Sequence, residues 1–255
     1  MKKKIIIANW KMKLMSAESA GFVEEFVKIY KSNKKMEAVL CPTFISLQSV
    51  AAQLKDKEIF LGAQDCFWEE DGAFTGEVSP KNLKELGCRF VIIGHSERRS
   101  HLLETDEVVH NKVKAALRQG LVPIICVGET FEERQEGAKD FVVMNQVTKA
   151  IEGLELDAED QLIVAYEPVW VIGSGQAVAP EEAEHTHQVI RQVLIDHFEP
   201  ATVKERVRII YGGSVDSSNI KDFFAFQNID GALVGGASLE PETFNNLIQQ
   251  ASQVN

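Results

Sequence analysis

The sequence predicts an α/β protein that forms one (β/α)8 barrel from residues 1–255. Eight short apolar runs, each bounded by turn residues, recur along the chain and alternate with segments of helical periodicity. Most runs are continuous rather than alternating, which is typical of strands covered on both faces in a parallel sheet. Length alone allows one large domain or two small ones, but about thirty residues per strand–helix unit fit a closed barrel better than an open doubly wound sheet.

The predicted elements follow from these patterns in chain order. Apolar residues between 22 and 30 recur at helical spacing after the first strand. A later helix is predicted to start with Asp106 as its N-cap and to stop at Gly120. Pro180 and Pro241, each followed by glutamate, are typical of helix first turns. The predicted strands are residues 5–10, 38–41, 59–64, 90–94, 123–127, 162–166, 207–211 and 232–234.

The composition limits the classes of partner. A formal net charge of −11 argues against binding to nucleic acid or to an anionic membrane, since both favour basic surfaces. The apolar run after the lysines at positions 2–4 is too short for a signal peptide, and no later stretch reaches the length of a membrane span. The four cysteines are scattered, and Cys126 lies in an apolar run as a small buried hydrophobe. We therefore expect a protein of a reducing compartment, the cytoplasm.

Polar residues and glycines follow the predicted strands, at the end of the barrel where active sites are built. Each has an ordinary explanation by itself, as a turn residue, a solvent-exposed residue or a satisfied histidine. Their convergence on one rim makes the set a candidate site. The set consists of Asn9 and Lys11 after the first strand, His95, Ser96 and Glu97 after the fourth, Glu167 after the sixth, Gly212, Gly213 and Ser214 after the seventh, and Gly235 and Gly236 after the eighth.

Together these residues specify a reaction type. A carboxylate at Glu167 can take a proton from a carbon next to a carbonyl, provided that the resulting enediolate is stabilised. Lys11 supplies positive charge, while Asn9 and His95 offer hydrogen bonds to two substrate oxygens. Glu97 is open to two interpretations: it holds His95 or Lys11 in place, or it is an acidic residue in the first turn of a helix.

The glycines indicate that the ligand carries a phosphate. Backbone N–H groups around Gly173, Ser214, Gly235 and Gly236 can converge on an anion, and the loops after the last two strands form the usual phosphate site of such barrels. Residues 168–176 are apolar for a surface loop, contain two glycines and follow the candidate base, which favours a lid that closes over the ligand. A connection packed for stability is the alternative; it explains the tryptophan in this segment but not the glycines.

Eight short motifs span nearly the whole chain: NWKM at 9–12, GAQ at 62–64, GAFTGE at 72–77, IGHSERR at 93–99, CVGE at 126–129, AYEPVW at 165–170, YGGS at 211–214 and LVGGAS at 233–238. In identity and order they resemble the motifs of the triosephosphate isomerase family. The resemblance implies a TIM barrel that interconverts dihydroxyacetone phosphate and glyceraldehyde 3-phosphate in glycolysis and gluconeogenesis, with no metal and no organic cofactor.

The resemblance also implies a role for each residue of the candidate site. It makes Glu167 the base and His95 a neutral electrophile, whose imidazolium form is disfavoured by a helix N-terminus. The remaining implied roles are oxyanion contacts for Lys11 and Asn9, and phosphate binding for Gly173, Ser214, Gly235 and Gly236.

The family is usually dimeric, and the loop of residues 66–80, which starts at Cys66 and ends at Pro80, resembles its interface loop. By this resemblance Thr75 reaches toward the neighbour's site. The loop also carries three aromatic residues among acidic ones, and exposed aromatic clusters are costly in a monomer. A loop that folds back and buries its own aromatic residues is the competing explanation.

Two departures from the family pattern affect these expectations. The distal end of the lid reads Gln176, Ala177 and Val178, where Lys-Thr-Ala or Lys-Val-Ala is common. We expect this change to affect the kinetics of the lid before it affects chemistry. The second departure is Asp65, which stands where asparagine is common, directly before the interface loop. We expect this change to affect the dimer contacts.

Three other functions compete with an isomerase. A metal-dependent epimerase needs clustered ligands, whereas His185 and His187 lie two apart on a predicted helix and face different ways. A Schiff-base aldolase needs a lysine on a barrel strand in the site, and the sixth strand offers Glu167. In a noncatalytic phosphate-binding barrel we would expect some of the polar site residues to be replaced, whereas this sequence retains all of them.

Overall fold

The computed structural model describes residues 2–157, 161–173 and 176–254. Within these ranges eight parallel strands form a closed barrel in chain order, so the predicted fold class is confirmed. The observed bounds differ from the predicted ones by no more than two residues at either end. The strands are β1 (Lys4–Asn9), β2 (Met36–Cys41), β3 (Phe60–Ala63), β4 (Cys88–Ile93), β5 (Val122–Val127), β6 (Leu162–Tyr166), β7 (Val207–Tyr211) and β8 (Gly231–Val234).

Helices follow the strands and cover the outside of the barrel. Several begin with proline at the first position, where the missing N–H group is not needed. Two short 3₁₀ helices, Val169–Val171 and Gly236–Ser238, lie in the loops after β6 and β8. The α-helices are α1 (Ser16–Ile29), α2 (Phe44–Leu54), α3 (Pro80–Glu85), α4 (Ser96–His101), α5 (Asp106–Arg118), α6 (Phe131–Gln135), α7 (Lys139–Ile151), α8 (Pro180–His197), α9 (Pro200–Arg206), α10 (Ile220–Phe224) and α11 (Pro241–Ser252).

The ends of α5 show where local sequence rules hold and where they do not. The predicted N-cap, Asp106, is instead the first residue of the helix, because the side chain of Thr105 accepts the capping hydrogen bond from the N–H of Val108. Asp106 instead pairs with Arg99 at 2.7 Å. The predicted end of the helix at Gly120 is confirmed. The φ of Gly120 is 65°, a left-handed conformation that glycine adopts easily because glycine has no Cβ atom.

The apolar core has two layers because successive strand residues point to opposite faces. One layer fills the barrel interior, and the other packs between the strands and the helices. On β1, for example, Ile5 and Ile7 point inward while Ile6 and Ala8 pack against the helices. Continuous burial of this kind explains why the strands read as unbroken apolar runs. It also gives the carboxyl ends of the strands a rigid base.

A buried cluster of charges supports the start of the loop 66–80. The ammonium group of Lys112, almost fully buried, lies 2.8 Å from the carboxylate of Asp65 and also contacts Glu104. Arg98 contacts the same two carboxylates at 2.8 and 2.7 Å. Burial raises the pKa of Asp65 to about 6, against the opposing charge of Lys112. The acid at the position where the resemblance leads us to expect asparagine is thus compensated by two cations.

Two searches of the described residues bear on membranes and metals. No helix in these ranges is long and apolar enough to cross a membrane. They also contain no group of three or more His, Cys, Asp or Glu side chains arranged to hold a metal ion. The prediction that His185 and His187 face different ways is confirmed, since the His185 side chain is 58% exposed and His187 is fully buried.

His187 should make the stability of the fold depend on pH. Its Nδ1 lies 3.1 Å from the carbonyl oxygen of Asn228, and burial lowers its pKa to about 4. The ordinary pKa of histidine in an unfolded chain is about 6.5. The unfolded chain therefore binds more protons between these values. It follows that stability is present above pH 6.5 and is lost as the pH falls toward 4.

We expect His187→Gln to remove this dependence, because glutamine can donate to the same carbonyl but does not titrate. Urea unfolding at pH 7 and pH 5, at one protein concentration, should show that the free energy of unfolding falls by about 2 kcal/mol more in the parent chain than in the variant. His185→Gln, two residues away on the same helix and exposed, is the matched control and should keep the loss. Equal pH slopes for His187→Gln and the parent would contradict the assignment.

Candidate active site

A cavity of about 410 Å³ opens at the carboxyl ends of the strands. It brings together most of the side chains that the sequence predicts for the site. Three of the predicted residues, Ser96, Glu97 and Thr75, lie outside its lining in the described structure. The predicted residues that line it are Asn9, Lys11, His95, Glu167, Gly173, Gly212, Gly213, Ser214, Gly235 and Gly236.

Glu167 follows β6 directly and is 1% exposed. Its backbone N–H donates to the carbonyl oxygen of Val127 on β5 at 2.7 Å. The backbone N–H of Ser96 donates to carboxylate Oε2 at 3.1 Å, and Nε2 of His95 lies 3.2 Å from Oε1. The candidate base is therefore held by the loop after β4, with one carboxylate oxygen beside an imidazole.

Two glycines leave the space that Glu167 occupies. A Cβ atom on Gly128 would lie 1.8 Å from the carbonyl oxygen of Glu167, and one on Gly212 would lie 2.7 Å from its Cγ. The first contact involves backbone, which cannot move aside without moving the strand end. Reasoning from the sequence assigned Gly128 no role, although its position directly after β5 was a signal that a close approach occurs there.

His95 is the N-cap of α4 and is almost fully buried. Its Nδ1 accepts a hydrogen bond from the backbone N–H of Glu97 at 3.2 Å. A ring nitrogen that accepts carries no proton, so the geometry assigns the proton of the neutral ring to Nε2. That N–H group points into the site beside Glu167, where it can donate to a ligand oxygen.

Lys11 is fixed from several directions. Its φ of 51° lies in the left-handed region, its backbone N–H donates to Oδ1 of Asn9 at 3.1 Å, and its carbonyl accepts from Gln64 at 2.8 Å. The ammonium group pairs with Glu97 at 2.6 Å. Gln64 therefore helps to fix the Lys11 backbone. The sequence did not predict this contact, because the two residues are 53 positions apart and no local pattern connects them.

Glu97 combines the two interpretations left open by the sequence. It lies in the first turn of α4, and its carboxylate also pairs with Lys11. Burial acts to raise the pKa of Glu97, but the hydrogen bond from Lys11 and its positive charge outweigh burial and lower the pKa on balance. Glu97 is therefore ionised at neutral pH and holds the Lys11 side chain at the edge of the cavity.

Part of the cavity lining is built from backbone and small residues. Gly173, with φ of 74°, Ser214 and Gly235 line it, and Gly236 starts the short 3₁₀ helix after β8. Cβ atoms added to Gly173 or Gly236 would meet nothing within 4 Å, so both backbones are open to a ligand. The free N–H groups at a helix start and in glycine loops form an environment suited to an anion.

The described part of the predicted lid is packed at its beginning. Val171 is fully buried, its carbonyl accepts from Oγ of Ser214 at 3.2 Å, and Nε1 of Trp170 donates to Glu129 at 2.9 Å. Packing therefore accounts for the start of this segment, while Gly173 faces the cavity. Ser174 and Gly175, the second glycine of the predicted lid, lie outside the described residues.

The loop 66–80 is partly folded on itself. Phe67 stacks on Trp68 with ring centres 3.9 Å apart and packs against Phe74 at 4.6 Å. Phe67 is buried by these contacts, but Phe74 remains 43% exposed. Thr75 is exposed on the same loop. A loop that folds back on itself thus explains the burial of Phe67 but leaves Phe74 in contact with solvent.

The fold and these side chains define a class of protein: a barrel enzyme that transfers a proton on a small carbonyl compound carrying an anionic group. The family model described as triosephosphate isomerase matches residues 4–251. The chain belongs to the triosephosphate isomerase family, as its motifs predicted. Isomerisation of a triose phosphate, the activity in the family's name, is its activity.

Curated relatives named triosephosphate isomerase match over the full length. The protein of Dictyoglomus thermophilum is 47% identical over 249 residues, covering 98% of this chain and 100% of the relative. That of Dictyoglomus turgidum is 46% identical with the same coverage. That of Carboxydothermus hydrogenoformans is 46% identical and covers 98% of this chain and 99% of its own.

Gly128→Ala tests how closely Glu167 must be placed. The added methyl group would force the Glu167 backbone to shift, and we expect kcat to fall at least about a hundredfold, the effect of a misplacement near 1 Å. Gly21→Ala, in α1 with nothing within 4 Å of the added atom, is the matched control and should retain full activity. Circular dichroism establishes that both variants are folded; normal turnover by folded Gly128→Ala would refute the steric argument.

Proposed function

We propose that the chain interconverts dihydroxyacetone phosphate and D-glyceraldehyde 3-phosphate by proton transfer through an enediolate, as a step of glycolysis and gluconeogenesis. The observation that carries the proposal is the buried carboxylate of Glu167 beside Nε2 of His95, in the cavity that Lys11 also lines. A base, a neutral donor and a fixed positive charge at one site are the groups that enolisation needs. Since these residues supply them all, the reaction requires neither a metal nor an organic cofactor.

The proton moves in two steps. Glu167 takes it from the carbon next to the carbonyl, and the electrons of the broken C–H bond form the C=C bond of the enediolate while the carbonyl oxygen becomes negative. The hydroxyl proton of the enediolate passes through Nε2 of His95 to the former carbonyl oxygen, and Glu167 returns its own proton to the former carbonyl carbon. The other oxygen then becomes the new carbonyl, which completes the isomerisation. Because the carboxylate is 1% exposed, water has little access to it when a ligand fills the cavity.

His95 and Lys11 stabilise the negative oxygen. His95 donates from Nε2, since its Nδ1 is occupied by the N–H group of Glu97. Asn9 also lines the cavity, and its Oδ1 atom accepts a hydrogen bond from the backbone N–H of Lys11. Donors that are already oriented cost no reorganisation when the charge develops.

The phosphate binds at the glycine-rich wall. Gly173, Ser214, Gly235 and Gly236 line the same cavity as the catalytic side chains. Residues 168–178 form the lid, whose closure over the phosphate excludes water from the enediolate. Glu97 acts as a positioning residue for Lys11.

A coupled assay tests this function. The purified, chelator-treated chain is mixed with D-glyceraldehyde 3-phosphate, and a second enzyme consumes the dihydroxyacetone phosphate that forms. We expect fast turnover by the parent chain. Glu167→Gln should reduce kcat by at least about three orders of magnitude, because the amide keeps the shape but cannot accept a proton. Binding of glycerol 3-phosphate, which has no carbonyl to enolise, should stay within twofold of the parent. Near-normal turnover by Glu167→Gln would disprove the assignment of the base.

We also propose a homodimer through the loop 66–80, with Thr75 reaching the partner's site. Large apolar side chains are exposed on the loops and helix starts that follow the first four strands, and the carboxyl ends of consecutive strands are neighbours on the rim. An apolar surface spread over adjacent loops marks an interface. These side chains are Met12, Met15, Phe44, Ile45, Phe74, Leu102 and Leu103.

Sedimentation of two matched variants tests the dimer. Phe74→Ser removes an aromatic ring from the proposed interface and should shift the chain toward monomer at micromolar concentration. Phe141→Ser removes a ring that is 74% exposed on α7, away from the loop, and should sediment as the parent does. A parent chain that sediments as a monomer would rule out the dimer.

The remaining expectations concern the setting of the enzyme. We propose a cytoplasmic protein of one domain with no nucleic-acid or membrane partner. All four cysteines are free and buried, as suits a reducing compartment, and the net charge is −11.

A further inference from the structure

The side chain of Arg134, on α6, contacts groups on both sides of the proposed lid. Its guanidinium lies over the indole ring of Trp170, with Cζ 4.5 Å from the ring centre. The same guanidinium forms a two-point ion pair with Glu182, in which Nη2 and Oε2 are 3.0 Å apart. Trp170 lies near the N-terminal end of residues 168–178, and Glu182 lies four residues beyond their C-terminal end.

On the N-terminal side, Arg134 completes a packed group around Trp170. The indole N–H donates to the fully buried carboxylate of Glu129 at 2.9 Å, and the hydroxyl of Tyr166 donates to the same carboxylate at 3.1 Å. Nη1 of Arg134 lies 3.7 Å from Glu129. Arg134 thus covers one face of the indole while its charge faces the carboxylate that holds the indole edge.

On the C-terminal side, Arg134 contacts the first turn of the helix that follows the lid. Glu182 is the third residue of α8, and the hydrogen bond from Arg134 lowers its pKa, so the carboxylate is ionised. Between the lid and α8, the backbone N–H of Val178 donates to the hydroxyl of Tyr211 at 3.3 Å. The segment from Val178 to Glu182 is therefore anchored at both of its ends.

We propose that Arg134 is a positioning residue that ties the two ends of the lid together, and thereby sets how tightly the lid holds the phosphate. This inference rests on the proposed function, since it assigns the lid to phosphate binding. The planar guanidinium of Arg134 contacts both ends of the lid. Its face packs against Trp170 at one end, and two of its N–H groups donate to Glu182 at the other. The link keeps the two ends, at Trp170 and Glu182, at one separation.

The physical consequence is a smaller entropic cost of closing the lid. A loop with one loose end samples more arrangements, and the ligand must supply the free energy to order them. Lysine cannot replace arginine here because its ammonium group has neither a flat face nor a parallel pair of N–H donors. The effect appears only with a ligand that the lid grips, so it depends on the phosphate and not on the reacting carbons.

Arg134→Gln tests the proposal with one non-reacting ligand and two substrates. We expect calorimetry to show glycerol 3-phosphate bound about tenfold more weakly, with KM for D-glyceraldehyde 3-phosphate raised to a similar degree. Turnover of unphosphorylated glyceraldehyde, followed by NMR, should stay within twofold of the parent, because the lid has no phosphate to grip. Arg134→Lys should give most of the loss.

Two further variants separate this role from general damage. Glu182→Gln should weaken binding as Arg134→Gln does, and the double variant should be no weaker than the worse single one, since both changes break the same link. Arg191 makes a comparable ion pair with Asp230 on the side of α8 away from the lid. Arg191→Gln is the matched control and should leave glycerol 3-phosphate affinity unchanged.

Three results would overturn the proposal. They are unchanged glycerol 3-phosphate affinity in folded Arg134→Gln, equal losses of turnover on phosphorylated and unphosphorylated substrates, and fully additive losses with Glu182→Gln. The binding measurement needs no catalysis. A parent chain that binds glycerol 3-phosphate but does not isomerise the triose phosphates would therefore reject the proposed reaction alone, without deciding the role of Arg134.

Discussion

The pairing of β8 with β1 closes the barrel, and the rest of the structure depends on that closure. Gly231 lies opposite Ile5 in this pairing, and a Cβ atom at that position would be 2.1 Å from the carbonyl oxygen of Ile5. No other residue type allows the two strands to approach so closely. Closure removes both edges of the sheet and places all eight carboxyl ends on one rim. Residues more than two hundred positions apart, such as Asn9 and Gly235, then line one cavity.

Close backbone approach also determines where the proposed base lies. Glu167 leaves β6 between the loops after β5 and β7, and Gly128 and Gly212 are small enough to admit it. Its carboxylate is then met by groups from the loop after β4, the N–H of Ser96 and the ring of His95. The barrel provides the placement and the loops provide the chemistry. This division explains why few of the residues around the base are themselves reactive.

Much of the fold was predictable from the sequence because the strands are covered on both faces and read as continuous apolar runs. The site residues were predictable as a group because they follow those runs, and a barrel directs all strand ends to one place. The capping of α5 was not, since Thr105 and Asp106 are both good N-caps and only the contact of Asp106 with Arg99 separates them. The ion pair between the buried Asp65 and Lys112 could not be predicted either. The two residues are 47 positions apart, and local patterns carry no information on such distant pairs.

At the proposed lid, a departure in sequence leaves the described contacts of its C-terminal end independent of the altered side chains. The segment Gln176, Ala177 and Val178 differs from the common family pattern, yet the contact described at its end uses the backbone N–H of Val178 and the hydroxyl of Tyr211. The next anchor, Glu182, lies beyond the altered residues and pairs with Arg134. Neither contact depends on which side chains occupy 176–178. If the ends of the lid are held in this way, hinge residues can vary while the separation of the ends, which we propose sets phosphate affinity, is preserved.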